Sequence, residues 1–430
     1  MKNFAAKYFI CVIFIFMALA FGALFQNKII KLFTDEKIID NVEPETIEIN
    51  WQELYPFEGS SLKIESNEDL NIFEKINKYV HGKTELYTTE KIPIYNKIIE
   101  TARQYENIIK WNLFQMSEYN GIIDLGDGYL TGFVKSSDVT GAFKNLKYLA
   151  DYCSKNNIEF SYISAPGKIC KYDDKNISGI FDFSNQRADE FHKLISEYGI
   201  KNLDLRDVMH AENKNHHEMF YKTDHHWKSE TGLWASRHVL KFLHDKFNWN
   251  TNYKILDPEN FKFINYPKWF LGSQGRKLTL ARATPDDFIM IYPKFETHLK
   301  FEVPNYGITK EGDFNITYYM PRLETKNHYE GAGRFAVYNH GRRPLIKITN
   351  YDALNNKKLL LIYDSFSNAV IPFMALGIKN INAIDLRQFD GSLINYIEQY
   401  RPDMVMILYV IGNISRVNAP EKHLDLFDFR

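Results

Sequence analysis

Three groups that together make a serine nucleophilic occur at two places in this chain of 430 residues. Asp224 and His226 lie in the segment TDHHW at 223–227, and Ser365 follows the largely apolar run LLLIYD at 359–364. A serine hydroxyl attacks a carbonyl at neutral pH when an imidazole takes its proton and a carboxylate orients that imidazole. The residue types therefore raise the hypothesis of nucleophilic catalysis by serine, histidine and aspartate.

The spacing of Asp224 and His226 suits such an acid–base pair. In an extended loop, side chains two residues apart leave the same face, so the Asp224 carboxylate reaches Nδ1 of His226. Nε2 would then face Ser365, and His225 would point away from the site. The alternative for two adjacent histidines is a structural or surface pair, which these residues alone leave open.

A zinc site is a further alternative, because several side chains that bind zinc lie within about a dozen residues of one another. They are His216, His217, Asp224, His225 and His226. Their spacing matches no helix-borne zinc motif, and no cysteine lies nearby. We therefore predict neither a metal nor a cofactor.

Alternating strand and helix patterns predict an α/β fold with a parallel sheet. The predicted strands are 158–164, 201–205, 358–363, 381–386 and 404–410, and the predicted helices are 141–156, 185–198, 230–247 with Ser229 as its cap, and 368–376. In an open parallel sheet, the loops after the carboxyl ends of the strands gather at one edge. Residues 166–168, 364–365 and 412–413 occupy such loops, and the TDHHW loop joins them. We therefore expect a single site at this edge.

The position of Ser365 between a strand and a helix allows two interpretations. Either its hydroxyl is an exposed nucleophile and the amides at the start of the helix, Phe366 among them, form an oxyanion hole, or Ser365 is an ordinary helix cap. His226 favours the first, because only a nucleophile needs a general base. Side-chain amides of Asn368 or Asn413 would complete the hole, although Asn413 equally suits a plain turn.

Three further side chains are candidate substrate contacts, and each has an alternative role. Arg387 holds a substrate or a carboxylate, or it forms a structural ion pair, which is the favoured interpretation. Lys168 either contacts the substrate or lies on the surface. Trp227 packs beneath the loop, with stacking on a sugar as the less favoured role.

Composition excludes one class of function and leaves others open. A formal net charge of −1, with lysine and arginine scattered along the chain, indicates no nucleic-acid surface. Aromatic residues make up 15% of the chain, which suits either platforms for sugar rings or an apolar core. Cys153 and Cys170 could pair as a disulfide in an oxidising compartment, whereas Cys11 lies in an apolar segment.

The N-terminal region predicts export. The apolar stretch 8–25 follows Lys2 and Lys7, a pattern typical of an uncleaved signal anchor, which we favour, or of a cleaved signal peptide. Both interpretations put the bulk of the chain outside the cytoplasm, in the periplasm or the extracellular space. We expect a cytoplasmic tip and membrane anchor at 1–26, a stalk or extension at 27–105, two parts of one α/β domain at 106–256 and 352–430, and a mostly β insertion between them at 257–351.

These motifs resemble those of the DHHW family and of the related AlgX-like and AlgJ-like alginate O-acetylation proteins of the bacterial periplasm. The resemblance covers most of the chain from Asn120 onward, with Tyr363 where the hydrolase motif usually has glycine. It rests on DHHW at 224–227, LIYDSF at 361–366, Asn368, Pro372-Phe373, Asp385-Leu386-Arg387 and Arg401-Pro402-Asp403, together with Leu271-Gly272-Ser273 and Asp286-Asp287.

The resemblance implies a circularly permuted SGNH hydrolase-like domain, in which helices flank a parallel sheet. Ser365 would be the nucleophile, His226 the general base and Asp224 its orienter. It also implies transfer of acetyl groups onto an exported polysaccharide, with the donor supplied by a multispanning membrane acyltransferase. A carbohydrate esterase with the same triad, and a noncatalytic glycan-binding or assembly protein, remain alternatives.

Overall fold

The computed structural model describes residues 118–119, 122–132, 134, 136–172, 182–280, 282–324, 328, 334–414 and 426–429. The predicted membrane anchor, the predicted stalk and Cys11 lie outside these residues. Within the described part of the chain, no helix is long and apolar enough to cross a bilayer. The anchor therefore stays a prediction.

Strands and helices alternate through the described chain, as the sequence patterns predict. The strands are β1 (Glu118–Tyr119), β2 (Ile122–Asp124), β3 (Leu130–Thr131), β4 (Glu159–Ala165), β5 (Lys201–Asp204), β6 (Phe261–Phe270), β7 (Asp286–Pro293), β8 (Leu299–Val303), β9 (Ile308–Gly312), β10 (Leu345–Asn350), β11 (Lys358–Tyr363), β12 (Asn380–Ile384) and β13 (Met404–Val410). The helices are α1 (Thr140–Lys155), α2 (Ser184–Glu197), α3 (Leu205–Ala211), α4 (Ser229–Phe247), α5 (Ser273–Leu278), α6 (Ile371–Met374) and α7 (Leu393–Tyr400).

An eight-stranded sheet forms the centre, in the order β5-β4-β13-β11-β12-β10-β8-β9. Neighbouring strands from β5 to β12 are parallel, and the remaining three join by antiparallel pairing. The central strands are continuous apolar runs because helices cover both of their faces. Side chains alternate along β11 accordingly: Leu359 and Leu361 pack on the side of α4, and Leu360 and Ile362 on the side of α1, α2 and α7.

The segment 257–351, predicted as a mostly β insertion, divides between two sheets. Its first part forms the antiparallel pair β6–β7, which stands apart from the central sheet. Its second part supplies β8, β9 and β10, which extend the central sheet on its antiparallel side. The β-rich pattern thus continues the domain as well as interrupting it.

Two local predictions are wrong. The helix predicted at 368–376 is a 3-10 turn over Ser365–Ala369 followed by the short helix α6, whose first turn contains Pro372. Ser229 is the first residue of α4 and not its cap, and its Oγ lies 3.2 Å from the hydroxyl of Tyr221.

The predicted alternative of a disulfide is also wrong, because no bond joins the sulfur atoms of Cys153 and Cys170. Cys153 points into the apolar cluster beneath α1, and burial raises the pKa of its thiol to about 12. Cys170 lies in the loop that follows β4, partly exposed to solvent.

Helix α4 packs directly on the 3-10 turn that begins at Ser365. The approach is closest at Gly232, where an added Cβ would lie 2.3 Å from the carbonyl oxygen of Ala369. One turn further on, the hydroxyl of Ser236 donates to the carbonyl of Val370 at 3.1 Å. The helix that follows TDHHW is thus seated against the turn that carries the serine.

Replacement of Gly232 by alanine should force α4 away from this turn. Because the obstacle is a backbone carbonyl, we expect the free energy of unfolding to fall by about 1–3 kcal/mol. Urea denaturation measures the change. Gly167→Ala is the matched control, because its Cβ would meet only the Ile411 side chain at 3.5 Å. Equal stability of the two variants would contradict the tight contact.

Candidate active site

The predicted loops meet at the carboxyl edge of the parallel strands. β4, β13 and β11 are adjacent in the sheet, so the residues after each of them lie side by side. The loop with TDHHW is closed by a bridge between Phe220 and Trp227, and the indole of Trp227 bonds it to the turn after β11. The sheet order therefore explains how side chains far apart in sequence come together.

A continuous chain of hydrogen bonds joins Ser365, His226 and Asp224. Oγ of Ser365 lies 2.8 Å from Nε2 of His226, and Nδ1 of His226 lies 2.5 Å from Oδ1 of Asp224. His226 and Asp224 are buried, whereas Ser365 is partly exposed. With the proton of the ring on Nδ1, Nε2 is free to accept the serine proton. The arrangement has the geometry of an activated nucleophile.

Asp224 is charged although it is buried. Burial raises its pKa, but His225, His226 and the Ser273 amide together hold the pKa well below its ordinary value. Oδ1 accepts the backbone N–H of His226 at 3.1 Å as well as Nδ1, and Oδ2 accepts the N–H of Ser273 at 2.7 Å. Both carboxylate oxygens are therefore occupied by donors, which fixes their direction.

The imidazole of His226 contacts two other rings. Phe335 lies almost parallel to it, with ring centroids 4.2 Å apart, and His225 lies 3.9 Å away on a tilted plane. The prediction that His225 points away is wrong: its half-exposed ring lines the site, and Nδ1 lies 3.1 Å from Oγ of Ser273. No sequence pattern indicated Phe335, because that residue lies in a distant 3-10 turn.

Lys168 is buried, so the interpretation of Lys168 as a surface residue is wrong, whereas its contact with a substrate stays a prediction. Its side chain is buried, and Nζ donates to the carbonyl oxygens of Leu130, Lys222 at 3.1 Å and Asp224 at 2.5 Å. Nζ also lies 3.4 Å from Oε1 of Gln274. Burial lowers the pKa of Lys168 to about 7, against the opposing influence of Asp224 and of Asp286.

Asp286 holds the same segment through its N–H groups. Its carboxylate accepts from the backbone N–H of Lys222 at 2.6 Å, the N–H of Thr223 at 2.8 Å and the hydroxyl of Thr223 at 2.6 Å. Burial raises the pKa of Asp286, while these hydrogen bonds and Lys168 oppose the shift. Gly272 completes the packing, since a Cβ there would lie 2.2 Å from Cβ of Asp224.

The predicted oxyanion donors differ in whether their hydrogens are already used in hydrogen bonds. The N–H of Phe366 donates to Oδ1 of Asp364 at 3.0 Å, so it is already used. Nδ2 of Asn413 donates to Oδ2 of the same carboxylate at 2.7 Å, which leaves its second hydrogen for another acceptor. Asn368 is buried, and its backbone carbonyl accepts from Nδ2 of Asn339 at 2.8 Å.

The amide of Ser365 itself is a donor that the sequence interpretation did not single out. Among the described residues, its N–H donates no hydrogen bond. It stands at the start of the 3-10 turn, one residue after the buried carboxylate of Asp364. Burial raises the pKa of Asp364, and Arg387 together with the N–H donors opposes that shift.

Arg387 and Trp227 have structural partners. Arg387 forms a bidentate ion pair with Asp385, with both nitrogen–oxygen distances at 2.7 Å, as the favoured interpretation has it. Trp227 is fully buried, and its indole N–H donates to the carbonyl of Phe366 at 2.9 Å. A buried ring cannot stack on a sugar, so Trp227 joins the two loops instead.

The zinc alternative is disfavoured by the hydrogen bonds of its own ligands. Within the described residues, one group of three potential ligands is compact: Asp224, His225 and His226, whose ligand atoms lie within 4.8 Å of one another. Both oxygens of Asp224 and both ring nitrogens of His226 already have partners. Nε2 of His216 lies 2.9 Å from the carbonyl of Gly167, and neither His216 nor His217 joins the group.

Comparison with known proteins supports the predicted resemblance. Residues 139–263 match the family model ALGX, described as an SGNH hydrolase-like domain of the acetyltransferase AlgX. No curated protein matches the sequence. The predicted resemblance to this group is therefore confirmed by the matched segment.

Solved structures show the same fold. Bacillus cereus PatB1 with a sulfonyl adduct is similar at a TM-score of 0.59 and 20% identity, over 72% of this chain and 98% of that one. A DHHW family protein from Eubacterium siraeum is similar at a TM-score of 0.52 and 16% identity, over 71% of this chain and 95% of that one. The predicted SGNH hydrolase-like α/β fold, with a mostly parallel sheet, is confirmed.

Replacement of Asp286 by asparagine should loosen the segment before His226. The amide nitrogen of asparagine would face N–H donors in place of a carboxylate oxygen, so we expect the free energy of unfolding to fall by about 1–3 kcal/mol. Urea denaturation gives the value. The control is Asp287→Asn at the next residue, whose exposed carboxylate accepts from Asn265 and Lys268 instead. A loss no larger than that of the control would refute the role of Asp286.

Proposed function

We propose that this chain is an extracytoplasmic SGNH-like O-acyltransferase that acetylates a cell-surface or secreted polysaccharide. The observation that carries the proposal is the hydrogen-bonded chain from Ser365 through His226 to Asp224. Support for acetyl transfer comes from the matched model, whose description names an acetyltransferase. The reaction would proceed through an acetyl ester on Ser365.

In the first half-reaction, Oγ of Ser365 attacks the carbonyl carbon of the acetyl donor. Nε2 of His226 takes the hydroxyl proton as the bond forms, and Asp224 stabilises the imidazolium. The tetrahedral intermediate then collapses, its bond to the leaving group breaks, and His226 returns the proton to that group. The acetyl group remains as an ester on Ser365.

In the second half-reaction, a sugar hydroxyl attacks the ester on Ser365. His226 removes the hydroxyl proton, the tetrahedral intermediate forms again, and the bond to Oγ breaks with return of the proton to Ser365. The products are an acetylated sugar and the free enzyme. Transfer in place of hydrolysis requires the sugar hydroxyl to outcompete water for the ester.

The negative oxygen of both intermediates needs preorganised donors. We assign this role to the N–H of Ser365 and to the second side-chain hydrogen of Asn413. Asp364 would orient Asn413 through its hydrogen bond at 2.7 Å and, at the same time, cap the turn through Phe366. Phe366 itself is not part of this assignment, because its amide is already bonded.

The place of the reaction and the origin of the acetyl group are also parts of the proposal. The apolar segment 8–25 would hold the chain in the membrane, with the described domain on the outer side. A multispanning membrane acyltransferase would supply the acetyl donor, and an exported polysaccharide would be the acceptor. No nucleic acid or cofactor enters the proposed reaction.

The decisive test compares the full-length chain in detergent with its Ser365→Ala variant, using an acetyl ester donor and glycan oligosaccharides. Loss of the hydroxyl should abolish acetyl incorporation, measured by mass spectrometry of the sugars. Ser367→Ala in the same turn is the control and should retain incorporation, since its Oγ donates only to the carbonyl of Leu408. A sulfonyl fluoride should label Ser365 in the unaltered chain and in Ser367→Ala, and should not label Ser365→Ala.

The outcomes separate the proposal from its rivals. Unchanged acetylation by Ser365→Ala would overturn the nucleophile assignment. Free acetate without acetylated sugar would replace the transferase with an esterase. Binding of oligosaccharide without either product would favour a noncatalytic glycan-binding protein.

Asp224→Asn should leave the fold intact and impair the chemistry. The asparagine amide would present a donor to Nδ1, which favours the tautomer with its proton on Nε2, and such a ring cannot accept the serine proton. We expect kcat to fall on the order of 10⁴-fold, as in other Ser–His–Asp enzymes. Steady-state hydrolysis of a chromogenic acetyl ester measures it. Near-normal kcat would show that Asp224 does not set the tautomer.

A further inference from the structure

Two buried groups of opposite charge bind the backbone of residues 222–224, one through its carbonyl oxygens and the other through its N–H groups. The ammonium of Lys168 binds the carbonyl oxygens of Lys222 and Asp224, and the carboxylate of Asp286 binds the N–H groups of Lys222 and Thr223. Neither charged group reaches the other directly among the described hydrogen bonds. The segment before His226 therefore lies between a cation and an anion.

The two charged groups are matched to the backbone atoms that they bind. An ammonium has three donors and no acceptor, so it can satisfy three carbonyl oxygens at once. Lys168 does so, because its third partner is the carbonyl of Leu130 at the start of β3. One side chain therefore connects the loop after β4 with β3 and with the TDHHW loop.

The position of Asp224 depends on this connection. Lys168 holds its backbone carbonyl at 2.5 Å, while its carboxylate must point to Nδ1 of His226. A misplacement of 1 Å in a catalytic group can cost about 10²-fold in rate. Release of the carbonyl would let the carboxylate drift from the imidazole without altering any residue of the triad.

We propose that Lys168 is a positioning residue whose protonated side chain keeps the carboxylate of Asp224 within hydrogen-bond distance of Nδ1 of His226. The catalytic part of this inference rests on the proposed acyl transfer, whereas the positioning itself is a property of the fold. In this role Lys168 acts through the backbone carbonyl of Asp224. Loss of its proton relaxes the TDHHW loop and thereby lowers the rate.

The charges around Lys168 set the direction of the pH effect. Asp224 and Asp286 face the ammonium and favour it, while burial opposes it, which leaves the pKa of Lys168 at about 7. The partly exposed imidazole of His225 is the other titratable group that interacts with it. A neutral amine has only two hydrogens, so one of the three carbonyls loses its donor as the pH rises. Activity should therefore decline on the alkaline side.

The test uses full-length Lys168→Met and Lys168→Gln, because the methionine lacks every donor and the glutamine keeps two. We expect kcat to fall about 10²-fold in the methionine variant with KM changed less than twofold. The alkaline decline of kcat should disappear in both variants. Lys201→Met is the matched control, since that exposed lysine donates to a single carbonyl, of Lys246, at 2.8 Å.

A second readout does not depend on activity. The proton between Nδ1 of His226 and Asp224 should give a strongly downfield signal in proton NMR, and this signal should shift or broaden in Lys168→Gln and stay in Lys201→Met. If the glutamine variant keeps the signal, kcat and the alkaline decline, the inference is overturned. If the signal is present in the unaltered chain and shifts or broadens in Lys168→Gln, but no acetyl group is transferred, the proposed function fails and the positioning role stands.

Discussion

The burial of a charged carboxylate beside an imidazole is the constraint on which the rest of the site depends. An isolated charge in an apolar interior is costly, so Asp224 must be surrounded by donors and positive charge. The N–H of Ser273, the N–H of His226 and the ring of His226 supply the donors. Gly272 leaves the space that this crowding needs. The residues next to the triad are thus consequences of one buried charge.

The architecture turns this local requirement into a fixed geometry. Adjacent parallel strands bring the loops after β4, β13 and β11 to one edge, and each loop contributes to the same network. Lys168 follows β4, Ser365 follows β11 and Asn413 follows β13. Helix α4 then presses the TDHHW loop onto the turn of Ser365. The arrangement places the partly exposed hydroxyl of Ser365 beside the buried imidazole of His226.

Much of this was accessible from the sequence, and what was missed has a physical reason. The strands 358–363 and 404–410 agree with the structure residue for residue, because buried parallel strands are continuous apolar runs with few other interpretations. The proximity of Asp224, His226 and Ser365 was expected from residue types and strand ends. The burial of Lys168 and the stacking of Phe335 on His226 were not, because each depends on distant segments arriving at one point. The 3-10 turn at Ser365 was mistaken for the start of a regular helix, since the sequence does not show that Asp364 binds Phe366.

Two hydrogen bonds between the TDHHW segment and the turn at Ser365 limit how proteins with this arrangement can diverge. His226 bonds to Ser365, and the next residue, Trp227, bonds to Phe366. Both bonds join residues that are 139 positions apart in the sequence. These two neighbouring bonds close a long loop of the chain. Inside this loop, Ser273 and Asp286 bind the TDHHW segment, whereas β9 lies at the far edge of the sheet and can change in length while the two bonds keep their geometry. Insertions and deletions should therefore accumulate at this enclosed edge of the sheet and be rare between β6 and β7.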